Sequence, residues 1–205
     1  MTVRNKITQT DGVYFITITC ARWSPLFEMT NGHDVVYKWF NYLKQQGHFI
    51  IGYVIMPNHI HAVIAFKQSG KSINTIVANG KRFMAYELIG LLQRQNKVNV
   101  LQQLSSWVNA TDRKRNKLHE VFEPSFDRKE CITDKFVEQK LNYIHQNPCR
   151  YKTLLATAPQ EYVHSSAKYY ITGEQGVYEV TGYLQLHDIG LTSYPQSPFP
   201  PPTKL

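Results

Sequence analysis

Hydrophobic and polar positions alternate in several short blocks along this chain. Gly12 to Cys20, "GVYFITITC", is dense in β-branched and aromatic residues and reads as a strand. From Asp34 to Gln46, Val35, Trp39, Tyr42 and Leu43 recur at helical spacing, and Gly47 follows as a C-cap. His48 to Met56 and His59 to Phe66 are two further strands, hinged at Pro57-Asn58, so they should pair antiparallel. Ser72 can cap a long helix through "INTIVANGKRFMAYELIGLLQRQ", whose continuity Gly80 and Gly90 weaken. Residues 95–117 are polar, end in the basic cluster "DRKRNK" and show no apolar period, which predicts an insertion or loop. A short strand is expected over Val121 to Asp127. Thr133 then caps a helix that should stop near Pro148, because proline cannot continue the hydrogen-bond ladder.

The predicted order is β-α-β-β-α-β followed by one more helix. That pattern implies an α+β fold with a ferredoxin-like antiparallel sheet, an added helix, and a Pro-rich C-terminal tail, "YPQSPFPPPTKL". No internal repeat is visible. The tail should be extended or disordered.

Charge narrows the class of partner. Lys and Arg outnumber Asp and Glu by 23 to 15, for a net charge of +8 over 205 residues. Such an excess favours a polyanion, most often nucleic acid. Three cysteines without C-x-x-C spacing argue against a disulfide framework or thiolate zinc site, and a reducing cytoplasm is expected. The N-terminus lacks the apolar core of a signal peptide, and the longest apolar run is too short for a membrane span.

One feature of the apolar pattern needs chemistry to explain it. The segment "VIMPNHIHAVI" carries two histidines in a strand, and alternation puts His59 and His61 on one face, about 6.6 Å apart. Ile60, Ala62, Ile64 and Phe66 take the other face. A single buried histidine is ordinary core; two on one face after a turn make a metal site an equal contender. Two imidazoles need at least one further ligand, and a catalytic site needs an open position. The element best able to cover that face is the helix in "KFVEQKLNYIHQNP". Its apolar stripe is Phe136, Val137, Leu141 and Ile144, with Tyr143 and Asn147 one turn apart on its flank. Read structurally, Tyr143 is one of 13 tyrosines making an amphipathic contact, and Asn147 caps a helix end.

Taken together, these blocks resemble a known family. "VIMPNHIHAVI" is similar to the His-hydrophobe-His (HUH) signature of single-strand DNA transposases. The Met-Pro-Asn-His-x-His strand, with "YIHQNPCRY" and "EYVHSSAKYY" after it, resembles the REP-associated tyrosine transposases over roughly residues 10–171. The resemblance implies that residues 1–171 form an HUH transposase domain, with 95–117 as the insertion or loop and 172–205 as a C-terminal extension. It implies that His59, His61 and Asn147 bind a divalent metal, Mg²⁺ or Mn²⁺, and that Tyr143 is the nucleophile.

Such a site would cleave single-stranded DNA through a 5′-phosphotyrosine and rejoin it, without a nucleotide cofactor. The substrate would be single-stranded DNA folded into hairpin-forming repeats, with Lys81, Arg82, Arg113, Lys114 and Arg115 as DNA-binding candidates. A homodimer, with the catalytic helix serving a partner, is as open as a monomer. Two other readings stand beside this one: a non-catalytic nucleic-acid-binding module on the same sheet, and a metal nuclease that activates water.

Overall fold

Every strand pair in the sheet is antiparallel, and the pairing explains how two histidines come to face a helix. A computed structural model describes residues 10–150 and 154–189. Strands β1 (Gly12–Thr19), β2 (Phe49–Met56), β3 (His59–Phe66) and β4 (Asp127–Glu130) form a sheet in the order β2-β3-β1-β4. The β2–β3 hairpin turns at Pro57-Asn58, as its sequence predicts. The Pro-rich tail lies outside the described residues.

The two sheet faces bury different elements. Tyr14, Ile16 and Ile18 of β1 and Ile60, Ala62, Ile64 and Phe66 of β3 share one apolar cluster. Over it lie α1 (Leu26–Thr30), α2 (His33–Gln45), α3 (Ile73–Arg94) and α4 (Val98–Ser106). Val13 and Phe15 of β1 and Val63 and Ala65 of β3 face a second cluster, with Val137, Leu141 and Ile144 of α6 (Asp134–Arg150). In β2 the register shifts between Ile50 and Gly52, so Ile50, Tyr53 and Ile55 share the first face while Ile51, Val54 and Met56 share the second.

Two glycines set the distances between layers. A Cβ on Gly52 would lie 2.3 Å from Leu141 Cδ2, so its absence lets α6 settle directly on β2. A Cβ on Gly80 would lie 2.2 Å from Trp39 Nε1, so this glycine is the seat of the α2–α3 contact rather than a break. Helix α3 accordingly runs unbroken for 22 residues, with Ser72 accepting from the Thr75 N–H as its N-cap.

Several local expectations need correction. Residues 95–117 hold two helices, α4 and α5 (Ala110–Lys114). Leu104 of α4 is fully buried, with Val100 and Leu101 beside it, a seam too narrow to register as a period. The fourth strand is Asp127–Glu130; Val121 and Phe122 are buried as loop, with one isolated bridge from Phe122 to Cys20. Pro124 has no N–H to continue pairing there. Helix α6 runs past Pro148 to Arg150, with that proline buried in its last turns. Tyr42 is exposed rather than part of the α2 core stripe.

Residues 173–189 pack on the sheet's two core clusters. Helix α7 (Ala167–Thr172) leads to Tyr178 and Val180 in the first cluster and Leu186 in the second. Among the described residues no helix is long and apolar enough to cross a membrane.

Candidate active site

The site begins with the hairpin turn. Strand β3 starts at His59, which lies opposite Met56 of β2 and Thr19 of β1; His61 lies opposite Val54 and Thr17. Backbone bonds pin the turn from outside, with Phe27 N–H donating to the Pro57 carbonyl and Cys20 N–H to that of Asn58. The two imidazoles are nearly buried, at 5% and 6% exposure, with ring centroids 4.6 Å apart.

Hydrogen bonds orient both rings. Asn58 Nδ2 donates to the Trp23 carbonyl at 3.2 Å, which turns its Oδ1 toward His59 Nδ1 at 2.7 Å. An amide oxygen only accepts, so the proton sits on Nδ1 and the lone pair on Nε2. His61 Nδ1 lies 2.8 Å from Thr17 Oγ1, which can accept a proton in the same way. Burial pushes the pKa of His59 down to about 4. Burial, then the charges of His59 and Lys140, push His61 down to about 3. Both rings are therefore neutral at pH 7, the state in which imidazole binds a metal.

Helix α6 closes the site. Thr133 Oγ1 accepts from the Phe136 N–H at its start. Val137, Leu141 and Ile144 bury the inner stripe, leaving Tyr143 on the flank, half exposed. The Tyr143 ring centroid is 5.4 Å from that of His61 and 6.0 Å from that of Phe15, which itself stacks on His61 at 5.3 Å. The tyrosine thus meets His61, and His61 meets His59, within one chain. Asn147 Nδ2 donates to the Tyr143 carbonyl at 3.1 Å, leaving its Oδ1 for another role.

A divalent ion fits this donor set in kind. Among the described residues no three His, Cys, Asp or Glu side chains cluster as metal ligands. A third protein ligand beside the two Nε2 atoms would have to be of another type, and the Asn147 carboxamide on the neighbouring helix is one.

Four contributors escaped the sequence reading. Asn58 stands in the quoted Met-Pro-Asn-His block, and Thr17 shares parity with Phe15 on the neighbouring strand, so both left a signal. Lys140, half buried, holds its ammonium 4.9 Å from the Phe136 ring centroid, 5.1 Å from Phe15 and 6.0 Å from Tyr143. Trp23 left no signal at all. Two other histidines are engaged elsewhere: His145 of α6 has its Nε2 2.9 Å from Ser166 Oγ, and His164 stacks on His33 at 3.5 Å. The "EYVHSS" block extends the edge of β2, through Val54–Ser165 pairing and a bond from Ile55 N–H to the His164 carbonyl.

The five basic candidates sit on α3 and at the end of α5. Lys81 and Arg82 sit on α3, over the opposite sheet face, and with Arg115 they line a groove of about 810 Å³. The Lys81 ammonium donates to the carbonyls of Glu123, Pro124 and Ser125, which assigns it to holding that loop. Arg113 donates to the Ser105 carbonyl, and Lys114 ends α5.

The same arrangement of chain is found in a solved structure. A REP-associated tyrosine transposase bound to a REP hairpin superposes with a TM-score of 0.57 and 13% identity, over 100% of this chain and 95% of that one. This chain has that transposase's fold. A candidate transposase from Deinococcus radiodurans R1 aligns at a TM-score of 0.40 and 12% identity, over 70% of this chain and 95% of that one. No family model matches the sequence, and no curated protein does.

Proposed function

We propose that this chain is a REP-associated tyrosine transposase, a single-strand DNA endonuclease and strand transferase of the cytoplasm. The carrying observation is the contact of the Tyr143 ring with His61, which itself meets His59, both imidazoles neutral and anchored through Nδ1, on the fold of a REP transposase. The strand order, with two helical crossovers on one face, supports a ferredoxin-like reading of the sheet.

His59 Nε2, His61 Nε2 and Asn147 Oδ1 would hold Mg²⁺ or Mn²⁺. When bound, such an ion supplies charge to neutralise a phosphate oxygen and fix the phosphodiester for in-line displacement. Tyr143 Oη attacks phosphorus, forming a phosphotyrosine ester as the bond to the 3′-oxygen breaks. The phenolic proton leaves, and the departing oxygen takes one up, giving a free 3′-hydroxyl. Because the ester conserves the bond, a 3′-hydroxyl from another strand reverses the step and joins DNA. Asn58 and Thr17 keep the imidazoles in the binding tautomer, and Lys140 adds positive charge beside the nucleophile.

The test is a covalent-adduct assay with hairpin-bearing single-stranded DNA, including the repeats beside the gene, and Mn²⁺ or Mg²⁺. A protein–DNA band on a denaturing gel is expected, lost in Tyr143→Phe and in His59→Ala. Cleavage that persists in Tyr143→Phe would instead mean activated water. Binding with neither adduct nor cleavage would leave a recognition module.

A further inference from the structure

Beside His59 the backbone does something costly. Arg22 and Trp23 both take positive φ, 50° and 58°, a region that bulky L-residues rarely enter and that glycine enters freely. The turn is held there from several sides. Ala21 N–H donates to the Val121 carbonyl, Arg22 N–H to Glu123 Oε1 at 2.8 Å, and Trp23 N–H to the Cys20 carbonyl. The Arg22 guanidinium lies 5.0 Å over the Trp107 ring, and the Trp23 carbonyl accepts from Asn58.

The backbone of the turn is tied to buried Cys20 and Val121, but the Trp23 side chain serves no core. Trp23 is 61% exposed, while Trp39, at 5%, belongs to the interior. Among the described aromatic pairs the Trp23 ring meets His59, edge to face at 5.6 Å. An indole is among the most expensive side chains to leave in water, and strained positions persist where function uses them.

From this geometry we infer that Trp23 is a stacking platform for an unpaired nucleobase, set by the strained turn beside the phosphate that His59 faces. The inference rests on the reading of the site as a single-strand DNA enzyme, and it adds a base-binding site to it. A nucleobase is the occupant that fits. Its phosphate would sit at the imidazoles, and its flat face needs an aromatic surface one nucleotide's breadth away. Stacking tolerates any base, so the platform would hold the strand at the scissile step without reading sequence. Duplex DNA, with its bases stacked on each other, would not use it.

The experiment is metal-free, so it needs no chemistry from Tyr143. Oligo-dT and an abasic oligomer of equal length are titrated into the protein while indole fluorescence and anisotropy are followed. Quenching by oligo-dT but not by the abasic strand is expected, with the quench gone in Trp23→Phe. Trp23→Gly should bind oligo-dT about ten-fold more weakly, in the range stacking contributes, and bind the abasic strand as the parent does. The same variant should melt no lower than the parent, since glycine accepts the positive φ. A structural tryptophan would show the reverse, a fall in melting temperature with unchanged discrimination between the strands, and that result overturns the platform. Equal affinity of Trp23→Gly and parent for oligo-dT overturns it as well. If the platform behaves as expected while the Tyr143 adduct never forms, the transposase reading fails and the base site stands. An adduct that forms while Trp23→Gly binds normally has the opposite meaning.

Discussion

The side chain of Asn58 accepts from His59 Nδ1 at 2.7 Å while its amide nitrogen holds the carbonyl of Trp23 at 3.2 Å. One buried amide thus sets the tautomer of a metal-ligand candidate and ties down the turn next to it. Outer partners of this kind typically contribute 10–100-fold to metal affinity. Asn58→Ala should therefore weaken Mn²⁺ binding, read by calorimetry, by about that factor. Thr17→Val should do the same through His61. Unchanged affinity in both would mean that the imidazoles are not ligands.

Lys140 places the one ammonium found against the Tyr143 ring among the described contacts. Its cation–π contacts with Phe15 and Phe136 hold it over the site. Lys140→Ala should slow adduct formation by about 100-fold, the low end of what losing one transition-state donor costs. Lys140→Arg should retain most of the rate. Single-turnover kinetics on the hairpin substrate measures both.

Gly52 has a consequence for α6 that can be separated from catalysis. Gly52→Ala forces a methyl against Leu141 Cδ2, and overpacking of this kind costs about 1–3 kcal/mol. Denaturant unfolding should show that loss. Leu141→Ala in the same chain removes the clashing atoms, so the double variant should fall short of the sum of the two single losses. Strict additivity would mean that the helix does not rest where Leu141 meets β2.

Acid should loosen the joint between α6 and β2. Burial holds the His145 pKa at about 4, against an ordinary value of 6.5, and its Nε2 lies 2.9 Å from Ser166 Oγ. The unfolded chain therefore takes up a proton below pH 6.5 that the folded chain refuses until about pH 4. Stability from this group is complete above pH 6.5 and is lost as pH falls toward 4, by about 3 kcal/mol. His145→Gln should make the fall in melting temperature over that interval shallower, the remainder coming from the buried His33, His59 and His61. A parallel pH profile in parent and variant would rule His145 out as the source.

Much of the architecture was legible because it follows from periods of two and 3.6. Alternation in "GVYFITIT" and "HIHAVIAF" assigned the faces, and the same alternation placed His59 and His61 together. Helical spacing likewise put Tyr143 and Asn147 on one flank of a stripe that packs on the sheet. These are local rules, and neighbouring residues suffice to apply them.

Other features depended on contacts between distant segments. Gly80 reads as a weak point until Trp39 arrives to fill the space, and Leu104 reads as an isolated apolar residue until the core covers it. The fourth strand moved to Asp127–Glu130 because pairing with Tyr14–Thr17 chose it, not its own composition. Lys81 carries the same charge as any phosphate-binding lysine, yet three carbonyls more than 40 residues away claim it. Local periodicity was enough to say which residues share a face and which chemistry that face could hold. Which partner each polar group found was set by long-range packing, because desolvation and hydrogen bonding depend on what lies across the gap. That is why the histidine pair could be read from eleven letters, and the bond that ties Asn58 to the strained turn at Trp23 could not.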